Sequence, residues 1–265
     1  LTGPETETYL QGQLSQDVTA MEVGDVAWSF VLQPQGRVDT WMRVDRSSPD
    51  TFRLDTEVGA GPGLLQRLER FRLRTRTEPT LTEGVEVLSI RGAEVLDGVP
   101  CGWPGVPGSD VFDPMPDRMP SDLPADAVEG DPTDLEVLRI VAGVPAMGAE
   151  VTPDTIPAEL GQWVIDASVS FTKGCFTGQE LVARIDSRGG NVPRHLRGIV
   201  GGVDPALAVG SPIEVDGREV GTITSAAVDG DRTVALATVH RSVEPPAGAT
   251  VAGVDVRVLT LPLPL

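Results

Sequence analysis

Residues 5–19, ETETYLQGQLSQDVT, put Tyr9, Leu10, Leu14 and Val18 on one stripe at helical spacing, and predict an amphipathic helix. Residues 25–46 change period. Two apolar runs flank Pro34-Gln35-Gly36, which predicts a hairpin with its turn there. Residues 51–57, TFRLDTE, alternate as a strand does. Residues 63–71 return to helical spacing, with Leu64, Leu65, Leu68 and Phe71 on one side. The alternation of 71–78, FRLRTRTE, predicts a strand with Arg70, Arg72, Arg74 and Arg76 on one face, and 85–90, VEVLSI, predicts another. Helices and strands interleave, so the N-terminal two-thirds of the chain reads as α+β.

Residues 97–132 hold eight Pro and five Gly among many acids, and are expected to be mostly loop. A helix is predicted over 134–143, DLEVLRIVAG, with Asp134 as its cap. From Val192 onward short Val-rich runs alternate with turns, and Asp216-Gly217 is a two-residue hairpin signal. This end is expected to be all-β, a small barrel or sandwich. No internal repeat is visible. The expected division is an α+β region over 1–190, with a further split expected near 80–135, and a C-terminal β domain over 191–265.

Composition narrows the function classes. The 265 residues can bury a core without staples. A formal charge of −18 argues against nonspecific duplex DNA binding. No apolar run approaches the length of a membrane span, and no leader is recognisable after Leu1. Cys101 and Cys175 alone make no disulfide framework, which fits a reducing, cytoplasmic setting. His195 and His240 lack partners at metal spacing, so no metal site is expected, and no self-ligated iron–sulfur cluster can be built from these cysteines.

Rare residues cluster. Of 21 basic residues only Lys173 is lysine, and Lys173, Cys175, Asn191 and His195 fall within 23 positions. Residues 173–184 read KGCFTGQELVAR. Thr177 and Glu180 have capping-box spacing ahead of Leu181 and Val182, so a helix is predicted to start just after Thr177. Cys175 then lies two residues before that cap, near the positive end of the helix and beside the only ammonium. Both effects would favour a thiolate. Gly174 and Gly178 would let the backbone turn tightly. The Arg70–Arg76 face, with Arg67 close by, reads as a solvated surface or as an anion site for a folate tail or RNA phosphate.

KGCFTGQE resembles the signature of the YgfZ-type folate-binding proteins, relatives of the glycine-cleavage aminomethyltransferases. Three more stretches share the resemblance: Tyr9 to Asp17, Gln35 to Val38, and Arg139 to Pro145 continuing through Gly148, Thr152, Pro157 and Glu159. The resemblance implies an aminomethyltransferase-like folate-binding region followed by a C-terminal β-barrel, arranged around a central folate cavity. It implies tetrahydrofolate as cofactor, iron–sulfur client or assembly proteins as partners, and a link to tRNA modification. Any RNA contact would run through Arg70–Arg76. Carried onto this sequence, it assigns Cys175 and Lys173 as the chemical residues, and Gln13, Arg37, Gly174, Gly178, Gln179, Glu180 and Arg184 to cofactor binding.

The implied function is support of iron–sulfur cluster assembly or repair in client enzymes. The alternative is one-carbon transfer or demethylation on the same scaffold, and a folate-independent interaction module is a third reading. Two departures bear on this choice. Where the aminomethyltransferases carry a catalytic Asp, residues 58–66, VGAGPGLLQ, hold no acid. Where they anchor the pterin with Glu, this chain has Val141, which accepts no hydrogen bond.

Overall fold

A computed structural model describes residues 1–114, 120–187 and 189–264. In chain order its elements begin with α1 (Thr6–Gln13), β1 (Val26–Leu32), β2 (Val38–Ser48), β3 (Thr51–Asp55), α2 (Gly61–Phe71), β4 (Val87–Arg91), β5 (Val99–Pro100) and β6 (Gly108–Phe112). They continue with α3 (Pro132–Ala142), α4 (Gln162–Ser168), α5 (Gln179–Asp186), β7 (Arg194–Gly202), β8 (Pro212–Val215), β9 (Arg218–Asp229), β10 (Arg232–His240), β11 (Ala247–Val251) and β12 (Val254–Leu259). Two compact units form. One takes Leu1–Leu88, Phe112–Pro114 and Val151–Asn191; the other takes the described residues of Ser89–Val111, Met115–Glu150 and Val192–Leu265. Among the described residues no helix is long and apolar enough to cross a membrane.

In the first unit β1, β2 and β3 form an antiparallel sheet in that order. β2 is buried on both faces, so its alternate side chains serve two cores. Met42 and Val44 join Tyr9, Leu10 and Leu14 of the α1 segment and Leu64 and Leu68 of α2. Trp41 stacks on Trp28 at 4.0 Å, meets Trp163 edge-on, and donates its indole N–H to Ser168 Oγ at 2.9 Å.

The predicted first helix stops early, at Gln13. The Ser15 N–H, which would have continued the helix onto Gln11, donates to the Phe30 carbonyl of β1 instead, at 3.0 Å. Val18 keeps its place in the core from a 3-10 turn, Val18–Ala20.

The predicted strand over 71–78 does not form. Arg74 has φ of 58°, Arg72 Nη1 donates to the Thr77 carbonyl, and Arg76 pairs with Glu5. These side-chain bonds turn the segment, so Arg70, Arg72, Arg74 and Arg76 do not share a strand face. Residues 97–132 contain two short strands, β5 and β6; 115–119 of that stretch lie outside the described residues.

In the second unit β10-β7-β12-β11-β8-β9 closes into a six-stranded barrel, with β9 pairing β10. Closure leaves no free sheet edge, and decides between the two all-β arrangements the sequence allowed. The β8–β9 turn has φ of 52° at Asp216 and 71° at Gly217, the two left-handed residues that its Asp-Gly sequence predicts. Along β10, Ala235, Ala237 and Val239 point into the barrel, while Val234 and Leu236 pack with Ile140 and Val141 of α3.

The cap of α3 is Asp131, not Asp134. The Asp131 carboxylate accepts from the N–H groups of Thr133 and Asp134, and Asp134 returns a bond to the Asp131 N–H, closing a capping box one turn earlier than expected. Pro132 favours that earlier start, because its fixed φ suits the first helical position.

Candidate functional site

The KGCFTGQE segment lies wholly in the first unit, as the loop leading into α5. Burial along it alternates: Lys173 and Phe176 are buried, while Gly174 and Cys175 are exposed. Two inward anchors therefore bracket the exposed thiol. Cys101, in the other unit, is buried, with its thiol against the Val106 carbonyl.

Lys173 Nζ donates to the carbonyls of Gln11, Leu14 and Gln16 at 2.7, 2.8 and 2.7 Å, and lies 5.3 Å from the Phe176 ring centroid. An ammonium has three N–H donors, so the set is used up and none remains for the Cys175 sulfur. Burial lowers Lys173 to about 8, against the pull of the Asp17 carboxylate.

The receiving turn is itself tied down. The Gln11 side chain donates to Asp17 Oδ1 and accepts the Val18 N–H, and the Ser15 hydroxyl donates to the Ser168 carbonyl at 2.6 Å. The QGQLSQD run and the KGC run, far apart in sequence, thus meet as socket and plug.

The start of α5 differs from the sequence expectation. The helix begins at Gln179, its N-cap is Gly178 at φ 81°, and no side chain caps it there. Thr177 and Glu180 form no capping box; Glu180 is exposed. Gln179 folds back instead, its Oε1 accepting the Phe176 N–H at 3.3 Å. Cys175 accordingly lies three residues before the cap rather than two.

Gly178 meets Gly36 of the β1–β2 turn: a Cβ on Gly178 would sit 2.6 Å from the Gln33 carbonyl oxygen and 3.2 Å from Gly36 Cα. Close packing of two backbones therefore explains this glycine. A Cβ on Gly174 would meet nothing within 4 Å.

The remaining candidates scatter within this unit. Gln13 Oε1 accepts from Arg67 Nη1 at 3.3 Å, and Arg67 also faces Asp39 and lies 3.8 Å over the Phe71 ring. Arg37 pairs with Asp154, and Arg184 is exposed on α5. An apolar hollow lined by Pro157, Ile165, Phe171, Val182 and Ile185 lies against α5 and does not include Cys175. Among the described residues no group of three or more His, Cys, Asp and Glu side chains could hold a metal ion.

Sequence reasoning missed Gln11, Ser15, Gln16 and Phe176. The signal was there: a polar run at the end of an amphipathic helix has to satisfy its own carbonyls.

Val141, in the second unit, is buried in an apolar cluster with Ile140, Leu196, Val234, Leu236 and Leu263, and its carbonyl accepts the Leu263 N–H at 2.7 Å. The surroundings of position 141 do not fit an anchor for a pterin's amino edge.

No family model matches the chain. An uncharacterized protein of Haemophilus influenzae is 29% identical over 230 residues, covering 84% of this chain and 79% of that protein. The tRNA-modifying protein YgfZ of Edwardsiella ictaluri is 26% identical over 219 residues, covering 72% of this chain and 65% of that protein. The crystal structure of glycine cleavage system aminomethyltransferase T from Bartonella henselae superposes with a TM-score of 0.76 at 17% identity, covering 98% of this chain and 82% of that one. In sequence the chain is similar to the YgfZ proteins over most of its length, and in fold it is similar to the aminomethyltransferase.

Proposed function

We propose that this chain is a tetrahydrofolate-binding accessory protein that supports iron–sulfur cluster assembly or repair in client enzymes, with Cys175 as its working thiolate. The observation that carries the reading is the presentation of Cys175: an exposed thiol on a loop pinned on both sides by Lys173 and Phe176. A thiolate is a soft donor suited to iron and to sulfur transfer, and one held at the surface can meet a partner protein. The relatives' name, tRNA-modifying protein, supports a link to tRNA modification. The scaffold shared with an aminomethyltransferase supports the folate assignment. Because Val141 offers no carboxylate, recognition of the pterin falls to other residues. Gln13, Arg37, Gln179, Glu180 and Arg184 remain the candidates for holding the folate.

The test has two arms. Calorimetric titration with tetrahydrofolate should give saturable binding, and absence of heat at millimolar ligand removes the folate assignment. In cells lacking their own YgfZ-type protein, the wild-type chain should restore the activity of iron–sulfur-dependent tRNA-modifying enzymes, and Cys175→Ala should not. Full restoration by Cys175→Ala removes the thiolate.

A further inference from the structure

Lys173 stands two residues from the thiol, yet its ammonium points away into the α1 turn. We propose that Lys173 is a positioning residue, which fastens the Cys175 loop to the carboxyl-terminal end of α1, rather than the charge partner of the thiolate. The inference rests on the reading of Cys175 as the working thiol.

The geometry supports a mechanical tie. Gln11 belongs to the last turn of α1 and Leu14 is its C-cap, so their carbonyls lie at the negative end of the helix. Both lack their usual helical partners: the Ser15 N–H has gone to Phe30, and the Val18 N–H to the Gln11 side chain. Gln16 supplies the third acceptor. Three carbonyls converging on one point suit a compact ammonium, and charge-assisted bonds of this kind are the stronger ones. A guanidinium is a planar fork and cannot address three converging oxygens in the same way. This accounts for lysine at the one position where a chain otherwise rich in arginine departs from it. Lys173 and Phe176, both buried, fix the loop, while Cys175 between them is exposed.

The test uses the full chain as wild type, Lys173→Met and Lys173→Arg. Amide hydrogen exchange is followed in peptides covering 11–18 and 170–178, with β7 and β10 as reference. The pH profile of Cys175 alkylation is read on the same samples. In Lys173→Met, exchange in the two segments should rise about tenfold or more while β7 and β10 stay unchanged. The alkylation midpoint should stay at its wild-type value and the plateau rate should rise. Lys173→Arg, which keeps the charge and guards against a Met variant that fails to fold, should also loosen both segments.

A charge partner predicts the reverse: a midpoint raised by about one unit in Lys173→Met, and full preservation in Lys173→Arg. Either of those results overturns the proposal, as does a rise in exchange spread equally over β7 and β10. If the wild-type thiol alkylates with the free-thiol midpoint of about 8.5, the thiolate reading falls while the exchange data still decide the tie.

Discussion

Gly36 and Gly178 touch backbone to backbone, so the turn between β1 and β2 and the start of α5 are one packed unit. A Cβ on Gly36 would lie 2.6 Å from Leu181 Cβ, and one on Gly178 would lie 2.6 Å from the Gln33 carbonyl oxygen. Gly178 also holds a left-handed φ of 81°. Gly178→Ala therefore meets both backbone strain and a clash, and should cost about 2 kcal/mol or more. Gly174→Ala, four residues away with open space around it, should stay within about 0.5 kcal/mol of wild type. Urea unfolding of the two variants checks the contrast, and equal midpoints would contradict the packing role.

Tyr9 offers a clean titration because it is the chain's one tyrosine. It is buried, its hydroxyl donates to the Leu68 carbonyl, and burial pushes its pKa up to about 12, against the pull of Arg67 and Arg72. The folded value lies above the unfolded value of about 10, so the folded state holds the proton more tightly. The stability from this group is fully present below about pH 10, and is lost as pH rises through about 12. Tyrosinate absorbance should therefore rise well above pH 10, in step with unfolding. A midpoint at the ordinary value in the folded protein would show that the Tyr9 ring is wet.

In the second unit, Glu150 has a side chain with 0% exposure, and accepts from Arg139 Nη1 at 3.2 Å, Ser225 Oγ at 2.7 Å and the Ala146 N–H at 2.9 Å. Arg139→Ala would leave that carboxylate buried without its counter-charge, and should cost about 3 kcal/mol or more. Glu150→Gln keeps an acceptor without the charge and should cost less. Chemical denaturation ranks the two, and an Arg139→Ala protein as stable as wild type would mean that Glu150 reaches solvent.

Much of this architecture was legible because period and turn chemistry agree. Asp216-Gly217 could form only a tight hairpin, and the stripe Leu64, Leu68 could bury only one helix face. Where tertiary partners compete with local pattern, the sequence misleads. Ser15 left the first helix for Phe30, and Arg72 and Arg76 folded a would-be strand onto Thr77 and Glu5. The KGC motif was visible as a cluster of rare residues. The direction of the lysine was not, because nothing local in KGCFTGQE says that three carbonyls of QGQLSQ wait to receive it. Spacing also suggested Thr177–Glu180 as a box, whereas close approach to Gly36 set Gly178 as the cap.

Val141 gives the sharpest reversal. Read from the family pattern alone, Val141→Glu would restore a pterin anchor and strengthen folate binding. The structure gives the opposite sign. Position 141 is 3% exposed and packs among Ile140, Leu196, Val234, Leu236 and Leu263. A carboxylate placed there finds no donor among those side chains. The Leu263 N–H, which reaches this position, is already given to the Val141 carbonyl. Burying an unpaired carboxyl costs several kcal/mol, even if it answers by staying protonated. The added bulk would also strain a packed cluster, at about 1–3 kcal/mol. Val141→Glu should therefore lower the melting temperature by about 10 °C or more and leave tetrahydrofolate affinity no better. Raising the pH should widen the deficit, because the folded state would hold that proton while the unfolded chain releases it above about 4.3. Val141→Ile, which keeps the surface apolar, should melt close to wild type. A stable Val141→Glu protein that binds tetrahydrofolate more tightly would show that the side chain can leave the cluster and reach the ligand.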